Sequence, residues 1–411
     1  MVGEAWKGGT RRVLVAAMLV LVLAAIMLAL PKSALAALPS EVPDRTAMVD
    51  GRVRAIEQVG NNIWLGGSFS RVESRDGKVV GNVDNLAVVD ARTGRYRNIA
   101  PKLGGTGDEV FDMAVFRGDV LIAGKFSGPS STKENLVRID GATGKVVRWY
   151  DAPSLKAVLA APKLRRVYGG GISLSAFNSG TGEELWTRAK TSVNPAIRVH
   201  DSKPAYRDLE LDGNTIWAAC ICDAVNGKPA KALVKLTTTG RHITSWYSEA
   251  GKAAFGESLV VRKGKLYLGA GGSDFVAEFD KAGGGARGWV RDVSGSTQAI
   301  EVMDGRLVIG GHFYYAADQP GDRCGEGRPG DTNAQGKPTL NPNGDCLRRQ
   351  GIAAYSFGGD LARVWSPTYS GSYSLVWALH VQGDRLHTGG QFKKVNGVVQ
   401  NSYARLSPAG R

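Results

Sequence analysis

Seven copies of one strand phrase, spaced near 50 residues apart, with tight turns around most copies and no helical pattern between them, predict an all-β fold. That combination belongs to a single β-propeller, here of seven four-stranded blades. The phrase is an apolar strand ending in two small residues and often a phenylalanine. It reads Ile63-Trp64-Leu65-Gly66-Gly67-Ser68-Phe69, Leu121-Ile122-Ala123-Gly124-Lys125-Phe126, Leu307-Val308-Ile309-Gly310-Gly311-His312-Phe313 and Leu386-His387-Thr388-Gly389-Gly390-Gln391-Phe392. Weaker copies stand at Val167-Tyr168-Gly169-Gly170, Ile216-Trp217-Ala218-Ala219-Cys220 and Leu266-Tyr267-Leu268-Gly269-Ala270. With the second small position as marker (67, 124, 170, 220, 270, 311, 390), the spacings are 57, 46, 50, 50, 41 and 79 residues.

Each element of a unit has its own signal. A first turn precedes the phrase, as in Gly60-Asn61, Gly118-Asp119, Gly213-Asn214, Gly264-Lys265, Asp304-Gly305 and Gly383-Asp384. Such pairs supply the positive φ that tight hairpins need. A second turn follows the third strand, in Asp90 to Gly94, Asp140 to Gly144, Asn178 to Gly182 and, looser, Asp280 to Gly285. Trp149, Trp186, Trp246, Trp289 and Trp365 then mark a fourth strand. A ring repeated at one position fills the gap between sheets. The paired glycines would let neighbouring sheets approach near the axis. The seventh unit has no room for a fourth strand before Arg411. Because an open ring leaves sheet edges exposed, Glu41 to Val49 is expected to supply the missing outer strand, closing the ring in the last blade.

The first 36 residues stand apart. Arg11-Arg12 precede an unbroken apolar run, Val13 to Leu30, and then Ala34-Leu35-Ala36. These are the parts of a secretory signal peptide cleaved after Ala36, by the general or the twin-arginine route. The 18 apolar residues also reach the lower limit of a membrane span, so an uncleaved anchor is the alternative and the only membrane contact foreseen. Residues 37–411 then form the propeller, expected to be monomeric and outside the cell or on its surface. The chain carries a formal charge of +14, which favours anionic partners, and a glycan, an anionic wall polymer or a protein is the expected partner. No basic run marks a nucleic-acid tail.

The widest spacing comes from an insertion at 314–351, bracketed by Cys324 and Cys346. A polar loop in an exported protein cannot hold its shape by burial, so a disulfide is expected there, stabilising by roughly 3 kcal/mol on loop-closure entropy. Cys220 and Cys222 fall two apart on a strand, about 6.5 Å between Cα atoms, which is far for a relaxed bond. Buried free thiols are expected, with a redox-active or ligand pair as the alternative. No cofactor is foreseen. Calcium is the alternative for the insertion's Asp318, Asp322, Asp331, Asn333, Asn341, Asn343 and Asp345, although EF-hand spacing is missing and solvated turns explain these residues better.

None of His200, His242, His312, His380 and His387 forms a recognised catalytic spacing, so no catalytic residue or metal ligand is assigned. Loops at one end of the innermost strands converge on a propeller axis. Counting six residues back from the first-turn glycines gives Arg54, Asp112, Arg207 and Trp377 as candidate mouth residues. His312, Tyr314 and Tyr315, at the border of the insertion, form a second candidate surface, with at least one tyrosine ring exposed.

The Gly-Gly-x-Phe strand, the Asp-x-x-Thr-Gly turn and the following Trp resemble the extracellular β-propellers of delta-60-repeat type, common in actinobacteria, over nearly all of residues 37–411. Some actinobacterial members carry a similar cysteine-bracketed insertion. Leu174 to Trp186 also resembles the tryptophan-docking repeat of quinoprotein dehydrogenases and outer-membrane assembly propellers, with Val137 to Trp149 nearly as good. The adjacent cysteines that many quinoprotein alcohol dehydrogenases stack on the quinone do not occur here. The first resemblance implies fold and surface location more than activity, and the signal, the repeats and the missing catalytic spacing point to a secreted or surface-tethered, non-catalytic binding or scaffold module. The alternative is an enzyme with an axial pocket, a quinoprotein oxidoreductase or a polysaccharide-active lyase or hydrolase.

Overall fold

In each repeat unit the chain runs along an innermost strand, reverses at a tight turn and returns along the phrase strand. The computed structural model describes residues 38–409 apart from 106, 129–131, 195–202, 252–253, 283–284, 327–329, 336–338 and 372–375. The expected signal at 1–36 and His200 therefore lie outside the described residues. The innermost strands are Arg52–Val59, Glu109–Phe116, Ala157–Ala161, Ala205–Asp212, Phe255–Arg262, Thr297–Met303 and Val376–Gln382. All pairing in the described sheets is antiparallel, and each unit's strands lie in chain order. Each innermost strand lies beside the next in sequence, and Val376–Gln382 lies beside Arg52–Val59.

The core sits between successive sheets. Trp64 and Val88 of the first unit share a buried cluster with Val110, Met113 and Phe126 of the second. Val53 and Ile56 share another with Ala378 and Tyr403 of the seventh. The first small residue of the phrase governs this approach. A Cβ at Gly66 would lie 2.5 Å from Val110 Cγ1, one at Gly310 2.6 Å from Val376 Cγ1, and one at Gly389 2.5 Å from Val53 Cγ1. In each case the contacted atom belongs to the next innermost strand, so only glycine permits the spacing.

Four units have a four-stranded sheet, but those beginning at Ala205, Thr297 and Val376 have three. Trp246 and Trp365 were expected on fourth strands and lie outside any strand. Single bridges, Leu236 to His242 and Tyr355 to Leu361, replace the ladder. Pro367 follows Trp365 and has no N–H to extend one. The rings still join units. Trp246 Nε1–H donates to Asp280 O at 3.1 Å and Trp289 Nε1–H to Phe357 O at 2.9 Å, each acceptor lying in the next unit.

The N-terminal segment also departs from expectation. Of Glu41 to Val49, only Met48–Val49 is a strand, and it pairs with Arg71–Glu73 of the first unit's outer hairpin. Pro39 and Pro43 interrupt a regular ladder. Ser40 and Asp44 nevertheless donate backbone N–H to Ser407 O and Arg405 O, both at 2.8 Å. Trp365 Nε1–H donates to Pro39 O at 2.9 Å.

Cys220 and Cys222 are joined in a disulfide, not free as expected. The strand Thr215–Ile221 ends between them, so the Cα separation contracts to 5.4 Å, inside the bonding range. Cys324 and Cys346 are joined as well.

Gly389→Val should lower stability by about 1–3 kcal/mol or prevent folding, because Val53 is fully buried and cannot retreat. Denaturant unfolding of both proteins checks this, with Gly383→Ala at an open first turn as a control for glycine loss alone.

Candidate functional site

Six of the innermost strands shift register at the same level, between Val53 and Ala55, Val110 and Asp112, Tyr206 and Asp208, Gly256 and Ser258, Thr297 and Ala299, and Val376 and Ala378. A bulge frees one residue from the ladder and re-aims its side chain. The freed residues are Arg54, Phe111, Arg207, Glu257, Gln298 and Trp377. The remaining strand pairs regularly from Ala157, and Lys156 stands just before it. All seven side chains line one cavity of about 180 Å³.

Cations and rings alternate at this mouth. Arg54 Cζ sits 4.2 Å from the Trp377 ring centroid, and Lys156 Nζ 3.0 Å from that of Phe111. Both are cation–π contacts. Arg54 pairs with Glu109 of the next unit, and Arg207 with Glu257 of the next unit at 2.8 Å. Among the described residues no carboxylate pairs with Lys156. Burial, with Arg207 and Arg54 nearby, pulls its ammonium down to about 8.

One residue deeper the wall turns acidic. Asp112 accepts Val158 N–H at 2.7 Å and Asp208 accepts Leu259 N–H at 2.8 Å. Ser258 Oγ accepts Ile300 N–H at 3.2 Å. Each acceptor reaches the next innermost strand, whose inward N–H has no ladder partner there. Farther down, Glu210 accepts Val261 N–H, while Glu57 and Glu301 complete the acidic wall. Burial raises all five carboxyls. Glu57, helped by the charge of Glu301, reaches about 8, Glu210 about 8 and Glu301 about 7. Asp112 rises well above the usual range by burial and then the charge of Asp208, and Asp208 rises by burial.

Of the sequence candidates, Arg54, Asp112, Arg207 and Trp377 share this cavity. Asp112 lies one layer below the others, because in its hairpin Arg117 precedes Gly118 and shifts the count by one. His312, Tyr314 and Tyr315 do not line the cavity. His312 approaches it through Gln298 (Nε2 to Nδ1 3.5 Å). Tyr314 and Tyr315 are both half-buried, where an exposed ring was expected. Ser294 Oγ accepts both their backbone N–H groups at 2.9 Å, and the Tyr315 ring packs on the Cys324–Cys346 bridge. In the insertion, Asp318 pairs with Arg363, and Asn341 caps Cys346. No group of three or more His, Cys, Asp or Glu able to hold a metal occurs among the described residues.

The family model for outer membrane protein assembly factor BamB matches residues 49–319. The chain belongs to this BamB family of β-propellers. Among solved structures, the computationally designed Ika8 protein aligns at TM-score 0.49 and 14% identity, over 88% of this chain and 98% of that one. BamB from Moraxella catarrhalis aligns at TM-score 0.44 and 14% identity, over 84% and 97%. No curated protein matches.

The BamB family model carries the resemblance to assembly propellers. A pyrroloquinoline quinone, which the resemblance to quinoproteins also raised, does not fit the residues present. The Cys220–Cys222 disulfide is fully buried and forms no part of the cavity wall. Sequence reasoning missed Phe111, Glu257 and Gln298, because a bulge position has no residue signature, and Lys156, because its strand does not bulge and is followed by no glycine turn from which to count.

The raised carboxyls make stability depend on pH. The folded state holds protons on Glu57, Glu210 and Glu301 that the unfolded chain releases near 4.5. Stability is therefore greatest below about 4.5 as far as these groups go, and falls as pH rises towards about 8. Glu57→Gln should leave Tm nearly unchanged at pH 5 and raise stability at pH 9 by on the order of 2 kcal/mol. Thermal melts of both proteins across that range check the difference.

Proposed function

We propose that this chain is a non-catalytic binding and scaffold module, an exported seven-bladed propeller over residues 37–411 that engages a glycan, anionic wall polymer or protein through its axial mouth. The observation that carries the site is Lys156, a cation at the mouth with no carboxylate partner among the described residues, beside Arg54 and Arg207. Charges left without counter-ions at a concave opening attract an anionic partner. The relative BamB is by its name an assembly factor, which accords with a scaffold role.

Ring closure by the N-terminal segment has specific support. The turn glycine of one unit packs on the outer segment of the unit before it, as Gly285 does on Tyr247 and Gly359 on Trp289. Gly94 of the first unit packs on Thr46, and Ala47 N–H donates to Gly94 O at 2.7 Å. These contacts support Thr46 and Ala47 as the seventh blade's outer segment. Export is supported by the signal pattern at 1–36 and by the two disulfides, which persist in oxidising compartments. The Gly-Gly-x-Phe strands and the bridged insertion favour a surface propeller of delta-60-repeat type.

A glycan and wall-polymer array probed with the chain from Ala37 onward tests the binding reading. Arg207→Glu with Lys156→Glu should abolish the strongest signals, and Tyr314→Ala with Tyr315→Ala should leave them. The reverse pattern would move the site to the insertion, and equal signals from all three proteins would remove both. Deleting residues 38–47 should expose the last sheet's edge and promote aggregation, seen by light scattering. A deletion protein as monomeric and stable as the parent would contradict the closure.

A further inference from the structure

The two rings at the mouth are already covered. Trp377 lies under Arg54 and Arg52, and Phe111 under Lys156 and Arg54. A neutral sugar binds chiefly by stacking on a bare aromatic face, and neither of these rings is bare. Selection at this opening must therefore come from charge. Among the described residues, Arg52, Arg54, Lys156 and Arg207 face only Glu109 and Glu257 as ion-pair partners, an excess of two positive charges. Each guanidinium retains N–H donors beyond those given to its carboxylate.

Asp112 and Asp208 lie one residue below this rim. Both accept backbone N–H groups of the next strand and offer an anion no donors at that depth, which disfavours a doubly charged phosphate ester or an anion seated deep and favours one delocalised negative charge held at the rim. Carboxylates meet guanidinium and ammonium donors in that way. Gln298, at the same rim, adds an amide partner for ring hydroxyls. We propose that the axial mouth selects a uronate, a sugar whose ring carries a carboxylate, with Lys156 and Arg207 on the carboxylate and Gln298 on the ring hydroxyls. This rests on the mouth being the binding site, and it names the class of ligand taken there.

Isothermal titration with trigalacturonate, its carboxyl-reduced neutral counterpart and polyglutamate tests the assignment. The expected result is binding of trigalacturonate that weakens with salt, at least about tenfold weaker binding of the other two, about tenfold loss on Lys156→Gln, and retention on Lys156→Arg. Circular dichroism melts verify that the variants are folded. No binding of trigalacturonate overturns the inference. Equal affinity for the neutral trimer or for polyglutamate, still lost on Lys156→Gln, also overturns it while leaving the mouth as the site. Binding of trigalacturonate that neither Lys156→Gln nor Arg207→Gln alters overturns the inference together with the mouth reading.

Discussion

Contact between one unit's phrase strand and the next unit's innermost strand is the constraint on which the other features depend. At Gly66, Gly310 and Gly389 the neighbouring valine occupies the space of the missing side chain. That approach brings the innermost strands together around an axis. It also makes the core a series of two-unit clusters, such as the one joining Trp64 to Val110. No unit can bury its apolar face alone, as is general in repeat folds. The signal visible first in the sequence, two small residues after an apolar strand, is therefore also the residue choice that sets the geometry.

Bringing strands so close creates a polar problem at the axis. Innermost strands of successive units do not form a ladder with one another, so inward N–H groups need other acceptors. Asp112, Asp208, Ser258 and Glu210 supply them across the unit boundary. Three of these acceptors, Asp112, Asp208 and Ser258, thus line the same cavity as the mouth residues. Carboxylates are strong acceptors, but crowding them with Glu57 and Glu301 in a narrow space disfavours full ionisation. The raised proton affinities follow from burial, which the accepted N–H bonds offset only in part, and do not by themselves mark a catalytic group.

How much of this was legible follows from the period. Repeat spacing, hairpin turns and the Cys324–Cys346 bridge could be read because each depends on local residue chemistry. The mouth was legible in part. Counting from Gly60, Gly213 and Gly383 reached Arg54, Arg207 and Trp377, since in those hairpins the glycine comes first in the turn. It misplaced Asp112 by one residue, where Arg117 comes first. Lys156 was out of reach, because the turn beyond its strand is the 3-10 segment Pro162–Leu164. Trp246 and Trp365 kept their inter-unit role without their strands, a difference that ring identity alone cannot reveal. Cys220 and Cys222 were misjudged by assuming strand geometry through both residues, when the strand ends at Ile221.

The bulges explain why one mouth residue differs in kind from the rest. Where a strand bulges, its freed side chain can also reach across to the next unit, as Arg54 does to Glu109 and Arg207 to Glu257. Those cations help to hold neighbouring units together, and their carboxylate partners offset part of their charge. The strand after Lys156 does not bulge, and Lys156 rests on the Phe111 ring without a carboxylate partner among the described residues. A partly buried ammonium beside two guanidinium groups carries a desolvation cost that no ion pair offsets. Such a charge adds little to the joint between units. Its contribution is a positive field at the opening, and that asymmetry is what makes Lys156 the leading candidate for a binding group beside the paired guanidinium ions.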